Sequence, residues 1–231
     1  MSPWLSIPAG FVPCLAWLWL VHRSDDHERE PLRLVLLAMA LGSAAAVAVL
    51  FVRPWIEGYW QPDVLVDAFV LTALGEELWK LLAFAPLLLH RELDEPLDGA
   101  IYGAAVALGF AGVENALYAQ WTDSLAIVAQ RAFTSTLLHA GCTAAAGYAL
   151  AGVKLALHRH VGVRAYPGYA ALLLAAVVLH GAYDWLLLAF EPGVLAALLL
   201  VLPTTIWLLR AVLRWGRAHS LRYHPPRNDI P

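Results

Sequence analysis

Residues 64–90, VLVDAFVLTALGEELWKLLAFAPLLLH, decide how the rest of the chain is read. The run is apolar and long enough to cross the roughly 30 Å of a bilayer's hydrocarbon. Yet Glu76, Glu77 and Lys80 fall in its middle. A charged side chain at that depth is costly, and is retained where it meets a cavity, a partner or a reaction. The stretch therefore predicts a membrane helix that carries chemistry.

Six further apolar segments flank this one, at about 4–21, 32–52, 97–121, 129–157, 168–190 and 193–215, separated by short breaks rich in charge, Pro or Gly. Of the 231 residues, 61% are hydrophobic and 14% charged. Soluble domains run at about 45–50% apolar and about 25% charged, so the composition belongs to the membrane class. The expected fold is all-α: a polytopic bundle of about seven spans, residues 1–215, with an active core at about 64–190 and a polar, disordered tail at 216–231. The first twenty residues lack a basic segment before their apolar run and are read as a first span, not a cleaved signal. A net charge of -3 offers no basic surface for nucleic acid. Cys14 and Cys142 show no paired or metal-ligand spacing and are read as small core residues.

Sidedness follows from Lys and Arg near the span ends. With seven spans, the odd-numbered connections and the tail share one side. That side holds Arg23, Arg29, Arg33, Arg91, Lys154, Arg159, Arg164 and the arginines from Arg210 onward, whereas only Arg53 and Arg131 lie on the other. The expectation is an N-terminus outside and a C-terminus in the cytoplasm.

Four segments carry intramembrane polar groups: Glu76, Glu77 and Lys80; Glu114 and Asn115; Arg131 and His139; His180 and Asp184. At 1.5 Å per residue, Glu77, Glu114, His139 and His180 lie roughly 18–27 Å from the cytoplasmic ends of their helices. They are expected to meet in one pocket toward the outer face. Glu76 and Lys80 are spaced i, i+4 and are expected to pair, leaving Glu77, about 100° around the helix, for chemistry. His180 and Asp184 share the same spacing, and Arg131, Ser135 and His139 form an i, i+4, i+8 stripe. Gly103, Gly109 and Gly112 before Glu114, and the GCTAAAG stretch after His139, allow helices to approach closely.

Peptide hydrolysis needs a held water, a base and a stabiliser for the oxyanion. His139 and His180 with Glu114 or Asp184 suit a divalent ion, zinc first, with a position open for water. Glu77 is then the expected base, Glu76 its neighbour, and Lys80, Asn115 and Arg131 supporting residues. Without a metal, Glu77 and a histidine would activate water directly. No GxSxG or HExxH frame is present. A membrane lipid-amide hydrolase and a proton-coupled transporter are the alternatives.

At EELWK (76–80), GFAGVEN (109–115), RAFTSTLLHAGCTAAAGYALAG (131–152) and HGAYD (180–184), the chain resembles the PrsW family of intramembrane proteases over roughly residues 30–190. That family is distantly similar to the CAAX prenyl proteases and the Abi enzymes, whose double-glutamate helix matches Glu76 and Glu77. Their late histidine, followed four positions on by Asn or Asp, matches His180 and Asp184. Glu114 stands where those relatives place a histidine. The resemblance implies a multi-pass protein of a bacterial or archaeal cell membrane. It also implies site-1 cleavage of a single-pass membrane substrate, such as an anti-sigma factor.

Overall fold

The computed structural model describes residues 1–25, 29–158, 166–190 and 193–223. It consists of helices: α1 (Pro3–His22), α2 (Leu32–Glu57), α3 (residues 64–88), α4 (Pro96–Thr122), α5 (Leu125–Phe133), α6 (Ser135–His158), α7 (Tyr166–Ala189) and α8 (residues 193–223). Among the described residues, six helical stretches are long and apolar enough to cross a membrane. The α3 helix, with Asp67, Glu76, Glu77 and Lys80 along it, is not among them. The chain is a multi-pass helical membrane protein.

The α4 helix is the axis of the bundle. Every residue from Pro96 to Gly112 is buried, and α6, α1 and α2 pack around it. Its sequence, PLDGAIYGAAVALGFAG, is mostly Ala and Gly, so neighbouring backbones come close enough for dense van der Waals packing, the main source of helix association in lipid. A Cβ on Gly109 would collide with the Met39 carbonyl of α2, and one on Gly147 of α6 with the Gly99 carbonyl of α4. The helix begins with Pro96 at its first position and a reciprocal capping box between Glu95 and Asp98.

Connections gather at two ends, as alternating spans require. At one end Lys154 Nζ donates to the carbonyls of His90 and Leu93, at 3.3 and 2.7 Å, and Arg217 donates to the Ser24 carbonyl at 3.2 Å. At the other, Arg53 of α2 donates to Glu57 (2.6 Å), Thr72 (2.8 Å) and Asp67 (3.1 Å), tying α2 to α3.

Three expectations are corrected. The segment expected as one helix over 129–157 is broken at Thr134, where the backbone turns to φ -120°, ψ -94°. The Arg131–Ser135–His139 stripe is therefore divided between α5 and α6. Residues 67–74 of α3 are π-helical, which a periodicity of 3.6 does not anticipate. Finally, α8 continues through the start of the expected tail to Tyr223, with Gly216 packed on Leu97. Beyond residue 223, and at Arg159 and Arg164, the expectations lie outside the described residues.

Candidate active site

The four polar helices converge. Glu76, Glu77 and Lys80 follow directly on the π-helical turn of α3, a distortion that often marks functional sites. That turn packs against α7 where Phe69 lies over Gly181, beside His180. The α4 helix supplies Glu114 and Asn115, α5 supplies Arg131, α6 supplies Ser135, His139 and Thr143, and α7 supplies His180 and Asp184.

Glu77 is enclosed. Its Oε1 accepts from Lys80 Nζ at 2.9 Å and from His180 Nδ1 at 3.0 Å, and its Oε2 accepts from Thr143 Oγ1 at 2.9 Å. Lys80, with no exposed surface, also reaches His139 Nδ1 at 2.8 Å and lies 4.4 Å from the centre of the Phe110 ring. Glu76 Oε2 is farther from that ammonium, at 3.6 Å. The expected pairing is thus reversed: Glu77, at i, i+3, is the closer partner of Lys80, and Glu76 lies on the wall of a cavity. The i, i+4 rule gives which residues share a face, but the cross-helix partners His139, Thr143 and His180 decide which carboxylate takes the lysine.

The cavity, of about 430 Å³, is lined by Glu76, Glu114, His139, His180 and Asp184 among others, with Arg53, Asp67 and Trp121 also on its wall. Glu114 Oε2 faces His139 Nε2 at 2.8 Å and accepts from Arg131 Nη2 at 3.1 Å. Arg131 is held in turn by Asn115 Oδ1 at 2.7 Å and by the face of Tyr118, whose centre is 3.9 Å away. Asn115 passes the chain on to Thr136 Oγ1 at 2.9 Å. Arg131, read from the sequence as a supporting residue, pairs with the Glu114 carboxylate on the cavity wall.

Three buried oxygens on the cavity wall have no hydrogen-bond partner: Glu76 Oε2, Asp184 Oδ2 and Ser135 Oγ. The two carboxylate oxygens lie 3.7 and 3.3 Å from His180 Nε2. With Nδ1 donating to Glu77, Nε2 presents its lone pair to the cavity. A histidine whose far nitrogen is held by a carboxylate is the usual arrangement of a metal ligand. Glu76, His139 and His180 can also bring one ligand atom each within 4.8 Å of one another. The donor set, imidazole and carboxylate around orphaned oxygens, fits a divalent ion such as zinc.

Thr143 and Phe110 escaped the sequence reading. Thr143 stands one turn after His139, so the i, i+4 rule applied from the histidine would have found it. A second group of buried acids, Asp25, Glu95 and Asp98, sits at the opposite end of the bundle, with Glu30 and Tyr102 hydrogen-bonded beside it.

A helical membrane bundle that gathers four acids, two histidines and a lysine in one contact network beside a cavity has the chemistry of an intramembrane hydrolase. The profile described as PrsW family intramembrane metalloprotease matches residues 30–209. Protease PrsW of Geobacillus kaustophilus (strain HTA426) is 35% identical over 188 residues, covering 80% of each chain. Protease PrsW of Bacillus subtilis (strain 168) is 30% identical over 191 residues, 80% of this chain and 84% of its own. That of Oceanobacillus iheyensis is 29% identical over 216 residues, 93% of this chain and 96% of its own. No solved structure matches. The chain belongs to the PrsW family of intramembrane metalloproteases, and it is a peptidase.

Proposed function

We propose that this peptidase hydrolyses a peptide bond of a single-pass membrane protein, of the anti-sigma-factor kind, near the outer face of a bacterial cell membrane. The observation that carries this reading is the pair of orphaned carboxylate oxygens, on Glu76 and Asp184, beside His180 Nε2 in a cavity at the expected outer end.

Glu76, His180 and Asp184 would hold a divalent ion, zinc first. When bound, such an ion lowers the pKa of a water and polarises a carbonyl. Glu77 does not reach the cavity; it fixes the His180 ring through Nδ1 and is itself fixed by Lys80 and Thr143. Both glutamates are therefore needed, one for its free oxygen and one for its grip on the histidine. Glu114, on the cavity wall, takes the proton of the attacking water. Arg131 and His139 hold its carboxylate in place. The apolar lining from Leu117, Leu138, Leu187 and Leu188 keeps bulk water from the reacting bond.

The test is cleavage of a single-pass substrate by purified protein in lipid, with zinc content measured on the same samples. Wild type is expected to hold about one zinc per chain. Glu76→Gln and His180→Gln should lose both zinc and cleavage, and Glu114→Gln should lose cleavage alone. Zinc and cleavage retained in His180→Gln would refute the reading.

A further inference from the structure

The Lys80–His139 contact carries a consequence for the metal reading on which it rests. Lys80 Nζ lies 2.9 Å from Glu77 Oε1 and 3.6 Å from Glu76 Oε2, so it stands as an ammonium between carboxylates. An ammonium has three donors and no acceptor, whereas a neutral imidazole has one donor and one acceptor nitrogen. The 2.8 Å contact to His139 Nδ1 is a hydrogen bond only if Nδ1 accepts. The ring proton then sits on Nε2, and the 2.8 Å contact to Glu114 Oε2 confirms that direction, because a carboxylate there is an acceptor. His180 is set the opposite way: Nδ1 donates to Glu77, and Nε2 is bare.

We infer that Lys80 fixes His139 as an Nε2–H donor on the cavity wall, so that His139 is not a metal ligand but the group that fixes the Glu114 carboxylate. Two histidines whose rings are 4.8 Å apart and at 89° to one another therefore have opposite tautomers and different tasks. A ligand must offer a lone pair, which His180 Nε2 does and His139 Nε2 does not. The His139 Nε2–H is committed to Glu114 Oε2 at 2.8 Å and holds that carboxylate at the cavity. Ser135, one turn earlier on α6, buries an unpartnered hydroxyl on the same cavity wall and is the group free to meet a developing oxyanion. Lys80 is a positioning residue acting through His139, and its removal frees the ring to take either tautomer.

The measurement is nitrogen-15 NMR of the ring nitrogens in histidine-labelled protein in lipid, before and after one equivalent of zinc, with His139→Gln to assign the resonances. The expected result is Nε2 protonated on His139 and Nδ1 protonated on His180, with zinc moving the His180 Nε2 signal and leaving His139 in place. Lys80→Met should give a mixture of His139 tautomers. In parallel, the zinc affinity of His139→Gln should stay within about threefold of wild type, whereas His180→Gln should lose more than the roughly 10–100-fold that an outer-shell partner costs. A protonated Nδ1 on wild-type His139, or zinc shifting its Nε2, overturns the inference while leaving the metal reading intact. If the tautomers are as assigned and zinc moves neither ring, the His139 assignment stands and the metal reading fails.

Discussion

Lys80 of α3 and His139 of α6 meet with Nζ 2.8 Å from Nδ1, in a place with no solvent exposure for the lysine. Through this contact the acidic helix and the histidine helix become one unit, and the stability of the site depends on keeping its charges balanced.

Replacing Lys80 by Met leaves Glu76 and Glu77 buried with no ammonium. Breaking one side of a buried pair costs roughly 3–5 kcal/mol. Thermal unfolding in detergent should show that loss for Lys80→Met and recovery of most of it in the Glu77→Gln, Lys80→Met double variant, because the two residues are coupled and their effects do not add.

Thr143→Val preserves shape and removes the hydroxyl that donates to Glu77 Oε2 at 2.9 Å. A hydrogen bond to a charged group contributes about 1.5–3 kcal/mol. His180 is oriented through the same carboxylate, so zinc affinity should also fall by about 10–100-fold. A zinc titration that matches wild type would show that Thr143 does not act through His180.

Gly147→Ala and Gly168→Ala should have opposite effects. At Gly147 the new methyl group meets the Gly99 backbone and forces α4 and α6 apart, an overpacking cost of roughly 1–3 kcal/mol. At Gly168 a Cβ meets nothing within 4 Å, and alanine should stabilise by about 0.4–1 kcal/mol. Unfolding of the two variants in mixed micelles checks both signs.

The connection between α1 and α2 should respond to pH. Burial pushes the Glu30 carboxyl up to about 7, with Asp25 and Asp94 adding to the rise and the hydrogen bonds from Asp98 and Tyr102 opposing it. Its folded pKa thus exceeds the unfolded one, so the folded state binds the extra proton between about pH 4.5 and 7. Stability from this group is complete below that window and declines as pH rises through it. Melting temperatures measured from pH 5 to 8 should fall for wild type and fall less steeply in Glu30→Gln.

Much of the site was legible because membrane sequences are sparing with charge. Against an apolar background, Glu76, Glu77, Lys80, Glu114, Asn115, Arg131, His139, His180 and Asp184 stand out by residue type, and all of them join the contact network of the cavity. The less legible members are ordinary in composition. Thr143 is a common small residue in a membrane helix, and nothing in GCTAAAG says that its hydroxyl ends on a carboxylate 66 positions earlier.

The sequence by itself determined the helical membrane class, the segments and the list of polar residues, because hydropathy and helical spacing are local properties that each segment carries alone. Only the tertiary structure decided which glutamate is enclosed and which is free, where the 129–157 segment breaks, and which nitrogen of each histidine faces the cavity. Those facts depend on partners from other helices: hydrogen-bond direction is set by Lys80 for His139 and by Glu77 for His180, and no spacing along one strand of sequence specifies a contact made across the bundle.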